Sequence, residues 1–230
     1  REPMNLREGI LMAWISRAAY GPDFQSPDFQ VTAKFENKAT DTQGLLGVAY
    51  GDTPVIAFRG SEETGIADWI TDLKFVQQVF PYQESKNKTV KVHYGFIQAY
   101  KSVRQAVLAR ARQAPHGRII CTGHSLGGAL ATLAALDVQY NLPQKEVVCY
   151  TFGSPKVGND AFAESYNRRV PNTFRFVNAA DAIPQTPPGN YHHVGRKEGI
   201  GQSGPGKGGL TDRVAAHLPN TYIENLQAML

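Results

Sequence analysis

Leu6, Ile10, Leu11, Trp14, Ile15 and Ala18 recur at helical spacing and Gly21-Pro22 closes the run, which predicts an amphipathic helix over residues 5–20. The period then shortens. Three β-prone runs at 31–35, 45–50 and 55–58, separated by Gly, Asp, Thr and Pro, predict successive strands, with a further short one at 90–92. Phe96, Ala99, Tyr100, Val103, Val107, Leu108 and Ala111 mark a long helix that stops before Pro115. From there strands at 118–122, 146–152 and 173–178 alternate with helices at 129–140 and 161–168. A βαβαβ series of this kind implies parallel strands, right-handed crossovers and helices covering the sheet. Ligands of such sheets bind beyond the carboxyl ends of the strands, so chemistry is to be sought just after residues 58, 122, 152 and 178.

Residues 190–194 predict one more short strand, but 195–209 break every period with seven glycines, one proline and three basic residues. A mobile surface loop is expected there. It contains G-I-G-Q-S-G and G-Q-S-G-P-G-K-G, which look like dinucleotide and phosphate-loop fingerprints. Neither has an apolar strand leading directly in or a helical pattern directly behind, and the second has Gly208 where a magnesium-binding hydroxyl is required, so nucleotide binding is not expected.

Composition narrows the class. At 230 residues, 42% hydrophobic and 19% charged, the chain reads as one globular domain over 1–230 rather than a disordered segment. Its net charge of +4 comes from 24 basic against 20 acidic residues without a run of five like charges, so no nucleic-acid partner is expected. Its most apolar stretch, 129–136, is too short to span a bilayer. The first residues lack the pattern of a signal peptide, and a start at Arg1 leaves room for a targeting segment already removed. Cys121 and Cys149 fall on neighbouring predicted strands and are expected to be buried free thiols.

Gly123-His124-Ser125-Leu126-Gly127 is a G-x-S-x-G motif with a strand before it and a helix behind it, the context a nucleophile elbow demands. A bare motif of this kind is also compatible with a glycine-rich turn whose serine caps the following helix. As a nucleophile, Ser125 needs an imidazole base and an orienting carboxylate, in the chain order Ser, acid, His. Asp137 lies three turns into the helix, Asp160 fits a helix cap, and Asp212 adjoins the glycine loop; Asp181, three residues past a strand, is best placed. Among the histidines, spacing favours His217, with His193 as runner-up, while His124 is expected to point to the opposite side and pack. An oxyanion hole requires donors from the Leu126 N–H and from the loop after an earlier strand, where Phe58-Arg59-Gly60-Ser61 offers Ser61. Cys149 and His192-His193 lack the spaced partners of a zinc site, and no metal or cofactor is implied.

F-R-G-S at 58–61, D-W-I-T-D-L at 68–73, V-H-Y-G-F at 92–96, G-H-S-L-G-G-A-L-A at 123–131, Y-T-F-G-S-P-K-V-G at 150–158, V-N-x-x-D-x-I-P at 177–184 and His217-Leu218 together resemble the class 3 (fungal-type, Rhizomucor-like) lipase family. The resemblance implies an α/β-hydrolase fold with a central, mostly parallel sheet flanked by helices. It also implies hydrolysis of acylglycerols and related esters through an acyl-enzyme. By that likeness Ser125 is the nucleophile, Asp181 the acid, His217 the base, and Ser61 with Leu126 the oxyanion hole. Asp72 then steadies the Ser61 loop, and Tyr94 and His193 neighbour the pocket. A secreted monomer that touches lipid interfaces only transiently is the corresponding expectation. An aryl (feruloyl-type) esterase or a phospholipase A1 would use the same triad, and a non-catalytic binding module is the remaining alternative.

The family's short lid corresponds here to Glu62, Glu63, Thr64, Gly65, Ile66, Ala67, Asp68 and Trp69, of which only Ile66, Ala67 and Trp69 are apolar. Such a flap offers an oil interface little to hold. Interfacial activation is therefore expected to be weak. The tributyrin rate plotted against concentration should run smoothly through the solubility limit, and a sharp jump there would refute the expectation.

Overall fold

The computed structural model describes residues 2–60, 77–79, 88–201 and 210–230. Ser61, the lid segment and Asp72 lie outside the described residues. Helix α1 (Leu6–Ala18) is capped by Asn5, whose side chain accepts from the Glu8 N–H. Strands β1 (Phe29–Asn37), β2 (Thr42–Ala49) and β3 (Thr53–Phe58) follow, then the short pair β4 (Gln77–Val79) and β5 (Lys91–His93). The remainder is α2 (Tyr94–Gln113), β6 (Gly117–His124), α3 (Leu126–Asn141), β7 (Lys145–Phe152), α4 (Asp160–Arg169), β8 (Thr173–Asn178), β9 (Arg196–Ile200), α5 (Leu210–His217) and α6 (Pro219–Gln227). Seven strands make one sheet in the order β1-β2-β3-β6-β7-β8-β9, antiparallel up to β3 and parallel from β3 onward.

Strands covered on both faces bury both sets of side chains, and β3 and β8 are buried throughout. On one face Met12 and Ile15 of α1 with Tyr222 and Leu226 of α6 pack over Tyr150, Phe152, Phe174 and Phe176. These four rings form a stacked layer, with Phe152 and Phe176 centroids 5.3 Å apart. On the other face α2, α3 and α4 contribute Phe96, Tyr100, Leu130, Leu133, Phe162 and Tyr166. Cys121 and Cys149 are register partners on β6 and β7, buried and free. Asp137 is buried on α3, where it accepts from Tyr100 and from Nε and one terminal amino group of Arg104, a structural anchor.

The structure corrects three local expectations. The expected glycine-rich loop opens with strand β9, whose residues Arg196, Lys197, Glu198 and Gly199 carry no apolar alternation; its pairing to β8 comes from the backbone at the sheet edge. Arg196 lies over the Phe174 ring, 4.5 Å from its centroid, and donates to the Glu2 carbonyl. Residues 190–194 form no strand; His192 makes a lone bridge to Gly158. At α4 the cap is Asn159, which accepts from the Phe162 N–H, and Asp160 is the first helical residue.

Helix α1 is tied to the sheet by a buried acid. The Glu8 carboxylate accepts from both terminal amino groups of Arg118 on β6, from Tyr50 and from Tyr150. Burial alone would raise its pKa, but the bonds to Arg118 and the tyrosines outweigh it and hold the carboxyl below its ordinary 4.5. A carboxylate with a depressed folded pKa stabilises the fold above its unfolded pKa, and that contribution is lost as pH falls through the folded value. The Glu8→Gln variant should thus be less stable than the parent at neutral pH by about 2 kcal/mol, below the roughly 3–5 of a fully buried pair because Arg118 is partly exposed. In urea titrations the gap should close as pH drops below 4.5; a gap independent of pH would refute the assignment.

Candidate active site

Strand β6 runs straight into α3 through Ser125, whose φ of 60° and ψ of −129° lie in a region that residues with a Cβ avoid. Two backbone bonds hold it there: the Ser125 N–H donates to the Phe152 carbonyl at 2.9 Å, and its own carbonyl accepts from Gly128 at 2.9 Å. The turn is so tight that a Cβ on Gly123 would lie 2.1 Å from the Gly127 carbonyl oxygen, closer than any side chain tolerates. A Cβ on Gly127 would lie 2.3 Å from the Phe58 carbonyl oxygen, so the bend requires the first glycine and the close approach of β3 requires the second.

Ser125 occupies the N-cap position of α3, where a serine ordinarily bonds its own helix, yet its hydroxyl makes no cap bond. Instead Oγ lies 2.8 Å from Nε2 of His217. His217, the last residue of α5, places Nδ1 2.7 Å from Oδ2 of Asp181. Because a carboxylate only accepts, Nδ1 carries the proton, and Nε2 presents a lone pair to the serine hydroxyl. All three side chains are buried. An imidazole held in this tautomer in a desolvated site can take a proton from the serine and return it.

Further residues, assigned no role from the sequence, hold this relay in place. Tyr222 of α6 donates to Asp181 Oδ2 at 2.6 Å and accepts from the Asn178 N–H; burial and the neighbouring carboxylate raise its pKa far above the ordinary value, so it remains a donor. Asp181 Oδ1 accepts from the Ile183 N–H at 3.0 Å. The Asn178 side chain donates to the Ala216 carbonyl, steadying the residue before His217. His124 corrects the expectation that it only packs on the far side: Tyr20 donates to its Nδ1 at 2.7 Å and its Nε2–H donates to the His217 carbonyl at 2.5 Å. Burial, and then the adjacent His217, push its pKa well down and keep the ring neutral.

Of the other expected residues, Leu126 stands first in α3, where its N–H has no intrahelical acceptor. A Cβ on Gly60 would sit 3.2 Å from the Ser125 Cβ, so the end of β3 abuts the nucleophile position. His193 is not joined to Ser125; its Nε2–H donates to the Pro184 carbonyl at 2.5 Å, behind Asp181. Tyr94 opens α2 and is largely exposed, taking no part in the hydrogen bonds of the relay.

Residues 55–191 match the family model Lipase (class 3). The chain is 35% identical over 190 residues to a lipase of Rhizomucor miehei, covering 77% of this chain and 50% of that protein. The chain belongs to the class 3 lipase family. It is also 31% identical to a secreted mono- and diacylglycerol lipase of Penicillium cyclopium over 72% of this chain and 54% of that one. It thus spans about half the length of the curated relatives it matches. Among solved structures, a Rhizomucor miehei triacylglyceride lipase superposes with a TM-score of 0.74 at 29% identity, covering 87% of this chain and 82% of that one. A triacylglycerol lipase whose catalytic centre is described as a serine protease triad superposes at 0.75 and 30% identity, over 88% and 83%. The fold of this family member is accordingly the α/β-hydrolase fold.

One member of the family motif Y-T-F-G-S-P acquires a reason from the geometry. Gly153 has φ of +63°, and a Cβ on it would lie 2.7 Å from Asp181 Oδ2, 2.9 Å from the Tyr222 hydroxyl and 3.0 Å from His217 Nδ1. Gly153→Ala should displace the acid and the base without unfolding the sheet. The rate at which a p-nitrophenyl phosphonate labels Ser125 should fall about 100-fold, the scale of a 1 Å misplacement, while the circular dichroism stays unchanged. Labelling at the parental rate would contradict this role for Gly153.

Proposed function

We propose that this chain is a serine carboxylic-ester hydrolase acting on acylglycerols and related esters, with Ser125, His217 and Asp181 as its triad. Ser125 Oγ attacks the ester carbonyl carbon as His217 Nε2 takes the hydroxyl proton. The carbonyl oxygen becomes an oxyanion facing the Leu126 N–H and the N–H and hydroxyl of Ser61. Collapse breaks the bond to the alcohol, which leaves with the proton from His217. Water then attacks the acyl-serine ester, giving its proton to the same nitrogen; the bond from the acyl carbon to Ser125 Oγ breaks, Oγ takes the proton back from His217, and the acid product departs. Asp181 keeps the imidazole in its Nδ1–H tautomer and stabilises the imidazolium, and Tyr222 and Ile183 hold its carboxylate in place.

The observation that carries this reading is the Ser125 hydroxyl itself, turned from its helix toward a histidine that a buried carboxylate orients. The acylglycerol class is supported by relatives named as lipases and as mono- and diacylglycerol lipases. Several of those are named as secreted, which supports an extracellular setting for this chain as well.

A panel of p-nitrophenyl esters from acetate to palmitate tests the proposal. Turnover should favour short and medium acyl chains, with a burst of p-nitrophenol equal to the protein concentration if deacylation is the slower step. Ser125→Ala should lower kcat by about 10³-fold or more, leaving only oxyanion-hole and binding effects. Parental turnover in Ser125→Ala would overturn the assignment.

A further inference from the structure

A cavity of about 430 Å³ lies behind the loop that carries Asp181, on the sheet face opposite Phe174 and Phe176. It is lined by Arg175 and Val177 of β8, Lys197 of β9, Lys156 after β7, and His193 and Pro184. Arg175 and Lys197 are register partners on adjacent parallel strands, so a buried and an exposed cation stand side by side and a bound anion would relieve their repulsion.

Arg175 is only 8% exposed. Its Nε donates to the Val194 carbonyl at 2.6 Å, and among the described residues its terminal amino groups have no partner, neither carboxylate nor carbonyl. A buried guanidinium without a counter-ion is costly, and burial pushes its pKa down to about 10. Among the described residues the only acid lining the cavity is Asp181, and its carboxylate is committed to His217, Tyr222 and the Ile183 N–H. Burial, with Arg175, Lys156 and Lys197 close by, lowers His193 to about 3, so the ring stays neutral and adds no further positive charge. Among the described residues the Lys156 amino group reaches only the Pro187 carbonyl, at 3.4 Å. Of the other lining residues, Val177 and Pro184 are buried and apolar, while Gln185 is polar and exposed.

We propose that this cavity is a second ligand site, separate from the Ser125 hydroxyl, that binds the carboxylate of a small organic acid, with Arg175 taking both oxygens and the apolar walls taking a short hydrocarbon stub. Guanidinium and carboxylate match as a two-bond fork, and the flanking lysines add charge without competing for that geometry. A cavity of this volume has ample room for a short acid.

The test is calorimetric titration of the whole chain with sodium butyrate, and separately with inorganic phosphate, at constant ionic strength and neutral pH. Butyrate should bind saturably at one site per chain, and equally in Ser125→Ala, so the result does not depend on the hydrolase reading. Binding should weaken about tenfold in Lys197→Ala and be lost in Arg175→Met, as removal of charge-assisted contacts implies. Should Arg175→Met fail to fold, Lys197→Ala and Lys156→Ala, whose side chains reach the surface, decide the matter. Phosphate binding without butyrate binding, affinity unchanged in the lysine variants, or no saturable binding of butyrate would each overturn the proposal.

Discussion

A hydroxyl can stand clear above a parallel sheet only if the chain turns from strand to helix within one residue, and the geometry around Ser125 follows from that demand. The bend forces a non-glycine residue to positive φ, at a cost of order 1–3 kcal/mol. It also brings the backbones at Gly123 and Gly127 too close for any Cβ. What offsets the strain is regular structure on either side: β6, hydrogen-bonded to both neighbours, and α3, buried along nearly its whole length. The serine's own N–H is tied across to β7. The helix gives up its usual side-chain cap, and the hydroxyl so released meets His217.

Placing the histidine is a separate problem, because His217 arrives from a region 92 residues downstream and must be held without a strand of its own. Its ring is fixed by Asp181, its carbonyl by His124, and the residue before it by Asn178. Asp181 is itself clamped by Tyr222, and Tyr222 stands on the aromatic layer of Phe152 and Phe176. The packing of one sheet face thereby sets the position of a carboxylate. Inside such a dry site every donor needs an acceptor, and the network around the relay meets this by giving Asp181 Oδ2 two donors and Oδ1 a backbone N–H.

Two arginines of the sheet contrast instructively. Arg118 is matched by carboxylates from Glu2 and Glu8, and the cluster fastens α1 across the strands. Arg175, on β8, has a single carbonyl and two neighbouring lysines. The same side chain type is structural where acids answer it and a binding feature where none does.

Much of this was legible in the chain. Period and turn chemistry located α1, the first three strands, the long α2 and the βαβαβ half, because buried elements must carry apolar residues at their own repeat. The G-x-S-x-G elbow and the F-G-S-P stretch were equally visible, since sterics leave glycine no substitute there. Strand β9 was hidden because an edge strand is recruited by backbone hydrogen bonds, which leave no hydrophobic signature on Arg196, Lys197 and Glu198. Between His217 and His193, spacing gave a preference and only the folded chain decided, carrying one to Ser125 and the other to Pro184. Tyr222, His124 and the open guanidinium of Arg175 lay beyond any local pattern. Their roles depend on which residues, distant along the chain, come within hydrogen-bonding distance, and packing alone determines that.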